Sequence, residues 1–240
     1  MVSIEIKNLT VKFDDYIVLR DISDFISTGE LYCIFGPAGC GKTTLLKAIV
    51  GLVFPQSGRV EVNGKNIFKF SQRQLLDFHK NCGFVFQNAA LISNLSVYEN
   101  LSLYYDYHTS LREREVKEII QFYLDYFGFD NDINLRPASL SSGEKMIVSI
   151  VRAISHEPDF LFLDNPFSSL DVHTQRKLKK VMIEFKEKNK TVVFATSDSK
   201  TIIEIGERIA ILDEGVIIEK GSKEDILNTG NEKVKEFLGI

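Results

Sequence analysis

The chain is short of several things that would have placed it early. Its 240 residues contain no apolar stretch near the length of a membrane span, and the N-terminus does not read as a signal peptide. Both absences predict a protein that stays in the cytosol. Cysteine is scarce: Cys33, Cys40 and Cys82 stand apart in apolar or loop contexts without metal-ligand spacing, so they read as reduced packing residues. Neither charge sign dominates, with 29 Lys and Arg against 33 Asp and Glu for a net charge of -4, which gives no electrostatic reason to expect nucleic acid as a partner. Low-complexity tracts, internal repeats and long linkers are also missing. What remains is a chain 44% hydrophobic and 26% charged, sized for one core or for one core with a subdomain.

Against that plain background, Gly36-Pro37-Ala38-Gly39-Cys40-Gly41-Lys42-Thr43 stands out. It is the phosphate-binding P-loop, Gly-x-x-x-x-Gly-Lys-Ser/Thr, between an apolar run at 31–35 and a helical pattern at 44–50 that opens on Thr44. Glycines let successive N–H groups curl inward around an anion, and the following helix points the positive end of its dipole at it. Lys42 would reach the terminal phosphates and Thr43 a Mg²⁺ ion. The expected ligand is a nucleoside triphosphate.

The hydrophobic pattern predicts an α/β fold. Residues 2–26 alternate as short antiparallel strands with turns at Asn8 and at Asp14-Asp15, and 58–63 with 67–70 form a second strand pair around Asn63-Gly64. Apolar runs at 82–86, 160–164 and 191–195, separated by helical stretches, predict a parallel sheet. Residues 96–156 read as all helix, with 111–127 amphipathic and Gly128 a stop. Residues 208–213 and 216–220 bracket a Glu214-Gly215 hairpin turn, and 223–228 is expected to be helical.

Further motifs narrow the P-loop. The run 160–164 is a buried strand ending in Asp164, the Walker B pattern for a carboxylate that holds Mg²⁺. Leu140-Ser141-Ser142-Gly143-Glu144 opens a helix with small residues and free N–H groups, an anion site or an ordinary cap.

Together these motifs, in their order and spacing, make the chain resemble an ATP-binding cassette (ABC) ATPase over essentially its whole length. The resemblance implies a P-loop core with a parallel sheet, an antiparallel β-subdomain and a helical insert. It divides the single domain 1–240 into an ATP-binding core, 1–86 and 157–240, and a Q-loop and signature section, 87–156. It equates Leu140 to Glu144 with the signature, usually Leu-Ser-Gly-Gly-Gln, departing at Ser142 and Glu144. Gln87 matches the Q-loop glutamine that contacts Mg²⁺ and the attacking water, so the metal set is Thr43, Gln87 and Asp164. Ser168-Ser169-Leu170-Asp171 matches the D-loop. Phe13 matches the aromatic that stacks on adenine; Tyr16 competes for that role, and a strand-end core role is the alternative for Phe13.

The family pairs two cassettes head to tail, each signature closing over the other's ATP, and couples closure to a membrane permease. This implies ATP and Mg²⁺ as ligands, a second ATPase and an integral membrane permease as partners, no nucleic acid, and a place at the inner face of the cell membrane. Helical residues around 88–105 would form the groove that receives the permease, with Leu91, Leu95, Val97 and Tyr98 as candidates; a core role is the alternative for each. The segments 86–91 and 95–100 look most like ATPases of lipid-trafficking systems.

Two hydrolytic positions depart from the family. Where it has a glutamate base after the Walker B aspartate, this chain has Asn165, and its switch histidine corresponds to Ser197. An amide accepts a hydrogen bond but takes no proton at a useful pKa, and a hydroxyl carries no positive charge. Asp198 and Asp171 are the other carboxylates that could act as base. The pattern resembles the degenerate half of an asymmetric ABC pair, which favours a heterodimer over a homodimer. The competing classes are a regulatory subunit that never hydrolyses ATP and a soluble ABC ATPase outside transport.

Overall fold

The computed structural model describes residues 4–240; Val2 and Ser3, the start of the first expected strand, lie outside the described residues. Ile4–Phe13 (β1) and Tyr16–Ile26 (β2) pair antiparallel around Asp14-Asp15. Asn8 is no turn. It sits inside β1 at φ 48°, where the register slips between Ile6 and Leu9, and its amide donates to Asp21 Oδ1 at 2.8 Å. The extra residue is absorbed as a bulge, which leaves one long strand where two short ones were expected.

Leu31–Phe35 (β3) is buried at every residue, and the chain then turns through Gly41 into Lys42–Ile49 (α1). Ser57–Val62 (β4) pairs with β1, and the expected hairpin at Asn63-Gly64 forms, but its return strand is only Lys65–Asn66 (β5). Ile67–Lys69 coils instead into a 3-10 turn, because the Asn66 side chain accepts from the Phe68 N–H and caps it. Gln72–Lys80 (α2) follows, opened by a reciprocal Ser71/Gln74 capping box, and leads into Cys82–Val85 (β6).

The expected all-helix stretch resolves into Val97–His108 (α3), Glu113–Phe127 (α4) and Ser142–Ile154 (α5). Gly128, at φ 78°, ends α4, and residues 129–141 carry only a 3-10 turn at Pro137–Ser139. Residues 88–96 are not helical either, since the Ser96/Glu99 capping box starts α3 at Val97. Then come Phe160–Asp164 (β7), Val172–Glu187 (α6), Thr191–Thr196 (β8), Ser199–Ile205 (α7), Arg208–Asp213 (β9), Val216–Ser222 (β10), Lys223–Leu227 (α8) and Glu232–Leu238 (α9).

The main sheet runs β10-β9-β3-β8-β7-β6, parallel except for β10 at the edge, and the smaller antiparallel sheet runs β2-β1-β4-β5. This is the α/β architecture that the sequence predicts. Alternate residues of β3 enter opposite apolar layers. Leu31, Cys33 and Phe35 join the layer that holds α3 to α6, while Tyr32 and Ile34 join α1 and the smaller sheet. Each large side chain buried there contributes about 1.5–3 kcal/mol. The three cysteines are free, and burial pushes each thiol's pKa up, as packing residues require. No helix among the described residues is long and apolar enough to cross a membrane.

Candidate nucleotide site

In an open parallel sheet, ligands bind beyond the carboxyl ends of the strands. Here the loops after β3, β6, β7 and β8 carry the P-loop, Gln87, Asn165 and Ser197, and all four meet in one cleft of about 230 Å³. Asp164, Lys42, Thr43 and Thr44 line it with Ala38, Gly39 and Gly41. With Val18 of β2, five separate stretches of sequence converge on one site.

The P-loop's shape has clear steric causes. Gly39 and Gly41 adopt φ of 80° and 108°, and a Cβ on Gly36 would lie 2.0 Å from the Leu212 carbonyl oxygen, backbone that cannot yield. Lys42 Nζ donates to Gly36 O at 2.8 Å and Pro37 O at 2.7 Å, so the ammonium sits folded within the loop. Gly36, Pro37 and Cys40 belong to the loop without bordering the cleft, and Cys40 is buried.

Thr43 Oγ1 donates to both Asp164 oxygens, at 2.8 and 3.0 Å. Burial raises the Asp164 pKa, while the Thr43 hydroxyl and the Lys47 and Lys42 ammoniums pull it back. A hydroxyl and a carboxylate already in register form a hard-oxygen donor set that suits Mg²⁺, with Gln87 on the same cleft. Protons and metal compete for the Asp164 oxygens. Mg²⁺-dependent nucleotide affinity is therefore expected to fall on acidification, beginning at a higher pH than an ordinary aspartate would dictate; calorimetric titrations across pH check this, and Asp164→Asn removes the effect.

Asn165 takes φ 48°, its N–H donates to Ala195 O at 2.9 Å, and its carbonyl accepts from Ser168 Oγ at 3.1 Å. Asparagine tolerates this left-handed backbone better than most residues. The two other carboxylates considered as bases are already engaged. Asp171 caps α6, accepting from His173 N, Thr174 N and Thr174 Oγ1; Asp198 caps α7, accepting from Lys200 N, Thr201 N and Thr201 Oγ1. The Thr174 hydrogen bonds lower the Asp171 pKa. At Asp198 partial burial raises it, but bonds from Thr201 and Lys200 leave it lowered. Neither lines the cleft, so the geometry does not support either as the base.

The stretch Leu140 to Glu144 lies away from the chain's own cleft. Ser141 caps α5, and the Glu144 carboxylate accepts from the Ser141 N–H at 2.7 Å, so glutamate fills the capping role open to glutamine. Gly143 approaches the 168–171 loop, where a Cβ would lie 3.0 Å from Ser169 O. Phe13 and Tyr16 face each other across the β1–β2 turn, 50% and 72% exposed, and neither lines the cleft; Val18 does. That exposure rules out the core role for Phe13. Val97 is fully buried and is no surface contact, whereas Leu91, Leu95 and Tyr98 are half-buried.

Sequence reasoning missed Val18 and Arg152. From α5, Arg152 donates to Ala89 O at 3.1 Å and Ala90 O at 3.0 Å, pinning two residues at φ 62° and 45° just after Gln87. A lone arginine among Ile150, Val151, Ala153 and Ile154 was the available signal.

The family described as ABC transporter matches residues 19–168. The sulfate/thiosulfate import ATP-binding protein CysA of Pseudomonas aeruginosa is 34% identical, over 99% of this chain and 72% of its own length. The intermembrane phospholipid transport system ATP-binding protein MlaF of Haemophilus influenzae is 30% identical, over 98% of this chain and 89% of its own. The dimeric post-hydrolysis structure of the ATP-binding cassette MJ0796 bound to ADP and Pi superposes with a TM-score of 0.84 at 29% identity, covering 92% of this chain and 98% of that one. With its P-loop, Walker B strand and signature helix placed as above, the chain belongs to the ABC transporter family, as its ATP-binding ATPase domain.

Proposed function

We propose that this chain is the ATP-holding member of an asymmetric ABC transporter pair: it binds ATP and Mg²⁺ in its own cleft, hydrolyses it poorly, and completes a competent site on a second ATPase. The observation that carries this reading is the composition of the cleft. Lys42, Thr43, Gln87 and Asp164 line it with the groups that bind, while Asn165 and Ser197 line it without a base or a cation. Both nearby carboxylates, Asp171 and Asp198, are held in helix caps.

Bound Mg²⁺ would neutralise phosphate charge, and Thr43, Asp164 and Gln87 would hold it. Lys42 leaves the Gly36 and Pro37 carbonyls for the phosphates. Asn165 can orient a water but cannot deprotonate it, which removes a contribution of about 10²–10⁴ in rate. Ser141, Ser142 and Gly143 do not line this cleft and would close on the partner's nucleotide, with the α5 dipole directed at its phosphate. Residues 87–156 would move as a section against the core, and the surface around Leu91, Leu95 and Tyr98 would meet the permease at the inner face of the membrane. Lipid trafficking is the narrower reading of the cargo, supported by the segments 86–91 and 95–100 and by the likeness to the phospholipid transport protein.

Isolation of the native complex tests this. The expected composition is this chain, a second ATPase that carries the glutamate and histidine, and an integral membrane protein. A complex whose ATPases are all copies of this chain would contradict the asymmetric pair.

A further inference from the structure

The P-loop rests on a turn that is not part of the cleft. Glu214 and Gly215, at φ 42° and 78°, reverse β9 into β10. The Gly215 N–H donates to Cys40 O within the P-loop at 3.1 Å, and the Arg20 N–H donates to Gly215 O at 2.8 Å. A Cβ on Gly215 would lie 2.3 Å from Val18 O, so the turn is seated directly against a residue that lines the cleft. Just before the turn, Leu212 O abuts Gly36.

Between these contacts stands Asp213, its side chain only 9% exposed, and its ion-pair partner is Lys233 of α9. That helix is itself anchored. Val234 and Leu238 are buried in the main apolar layer, and Thr229 Oγ1 donates to Glu219 Oε2 of β10 at 2.7 Å. Removing the cation would leave a buried carboxylate unpaired, and such a group moves towards water.

We propose that Lys233 is a positioning residue for nucleotide binding: through Asp213 it fixes the 213–215 turn against Cys40 and Val18 and so keeps the P-loop amides aligned for phosphate. The proposal rests on the reading of the cleft as a nucleotide site. No part of α9 touches that cleft, so the effect would travel through a contiguous chain of packed backbone.

The test is titration of the full chain with MgATP, together with amide hydrogen exchange without ligand. Lys233→Met is expected to raise the ATP Kd roughly 3- to 10-fold, with faster exchange at residues 36–44 and unchanged exchange elsewhere in the main sheet. Lys233→Arg should restore wild-type affinity. Lys235→Met, which removes an ion pair to Glu232 on the same helix, should leave affinity unchanged. An unchanged Kd in Lys233→Met overturns the proposal, as does weaker binding with faster exchange throughout the sheet. Should the wild-type chain bind no ATP, the nucleotide reading itself fails, and exchange at 36–44 alone decides whether Lys233 positions the loop.

Discussion

Asn165→Glu is expected to raise the ATP turnover of the purified chain roughly 10²–10⁴-fold, the usual contribution of a positioned general base. Asn165 already lines the cleft beside Asp164, so a longer carboxylate at that position would extend into the space open to an attacking water. The backbone opposes the change modestly. A glutamate at φ 48° costs about 1 kcal/mol relative to asparagine, which lowers Tm by about 2–4 °C in a chain of this size. Adding Ser197→His supplies a cation near the leaving phosphate and should increase the gain. Asn165→Gln lengthens the side chain without adding a base, and its turnover should stay at the wild-type level. Steady-state phosphate release checks all three variants, and equal rates in Asn165→Glu and Asn165→Gln would count against the missing base as the cause of slow hydrolysis.

Lys42→Ala is expected to weaken ATP binding roughly 10²-fold, as loss of charge-assisted hydrogen bonds to the phosphates predicts. The Lys42 ammonium now bonds the Gly36 and Pro37 carbonyls, and it is the one cation that lines the cleft among the described residues. Without it the loop amides and the α1 dipole remain, which is why binding is weakened and not erased. Fluorescence titration with a labelled ATP analogue gives the affinity. Circular dichroism must show an intact fold, since α1 stays anchored by buried Leu45, Leu46 and Ile49.

The cleft holds Lys42, of the type that binds phosphate, and Asn165, at the position where a base would decide hydrolysis. Much of this was legible in sequence because it depends on residue type at fixed offsets. The P-loop and the strand ending in Asp164 are contiguous, and a fully buried strand reads as an unbroken apolar run. Where a side-chain hydrogen bond decides the backbone, pattern was not enough. Asn66 turned an expected strand at 67–70 into a 3-10 turn, and the Asn8 bulge merged two expected strands into one. Helix α2 carries a Ser71/Gln74 capping box, but its apolar face is thin, with Phe78 buried and Leu76 exposed, so periodicity gave little signal.

Parts of the site were illegible for a different reason. Asp171 and Asp198 have the right chemistry for a base, and only geometry reveals that their oxygens are occupied by backbone and threonine donors. Phe13 and Tyr16 both have the right type for adenine stacking, and sequence could not show that both rings stand exposed, or that Val18 lines the cleft. Arg152 meets the Ala89 and Ala90 carbonyls from a helix far along the chain, a contact that sequence spacing does not encode.

Single-turnover hydrolysis tests the central claim most directly. The purified wild-type chain is mixed in excess with labelled MgATP, and bound nucleotide is quenched and separated over time. The account predicts ATP bound in the cleft and recovered intact over many minutes, with hydrolysis appearing in Asn165→Glu. Conversion of bound ATP to ADP by the wild-type chain on the order of once per second, the scale of a competent enzyme, would contradict it.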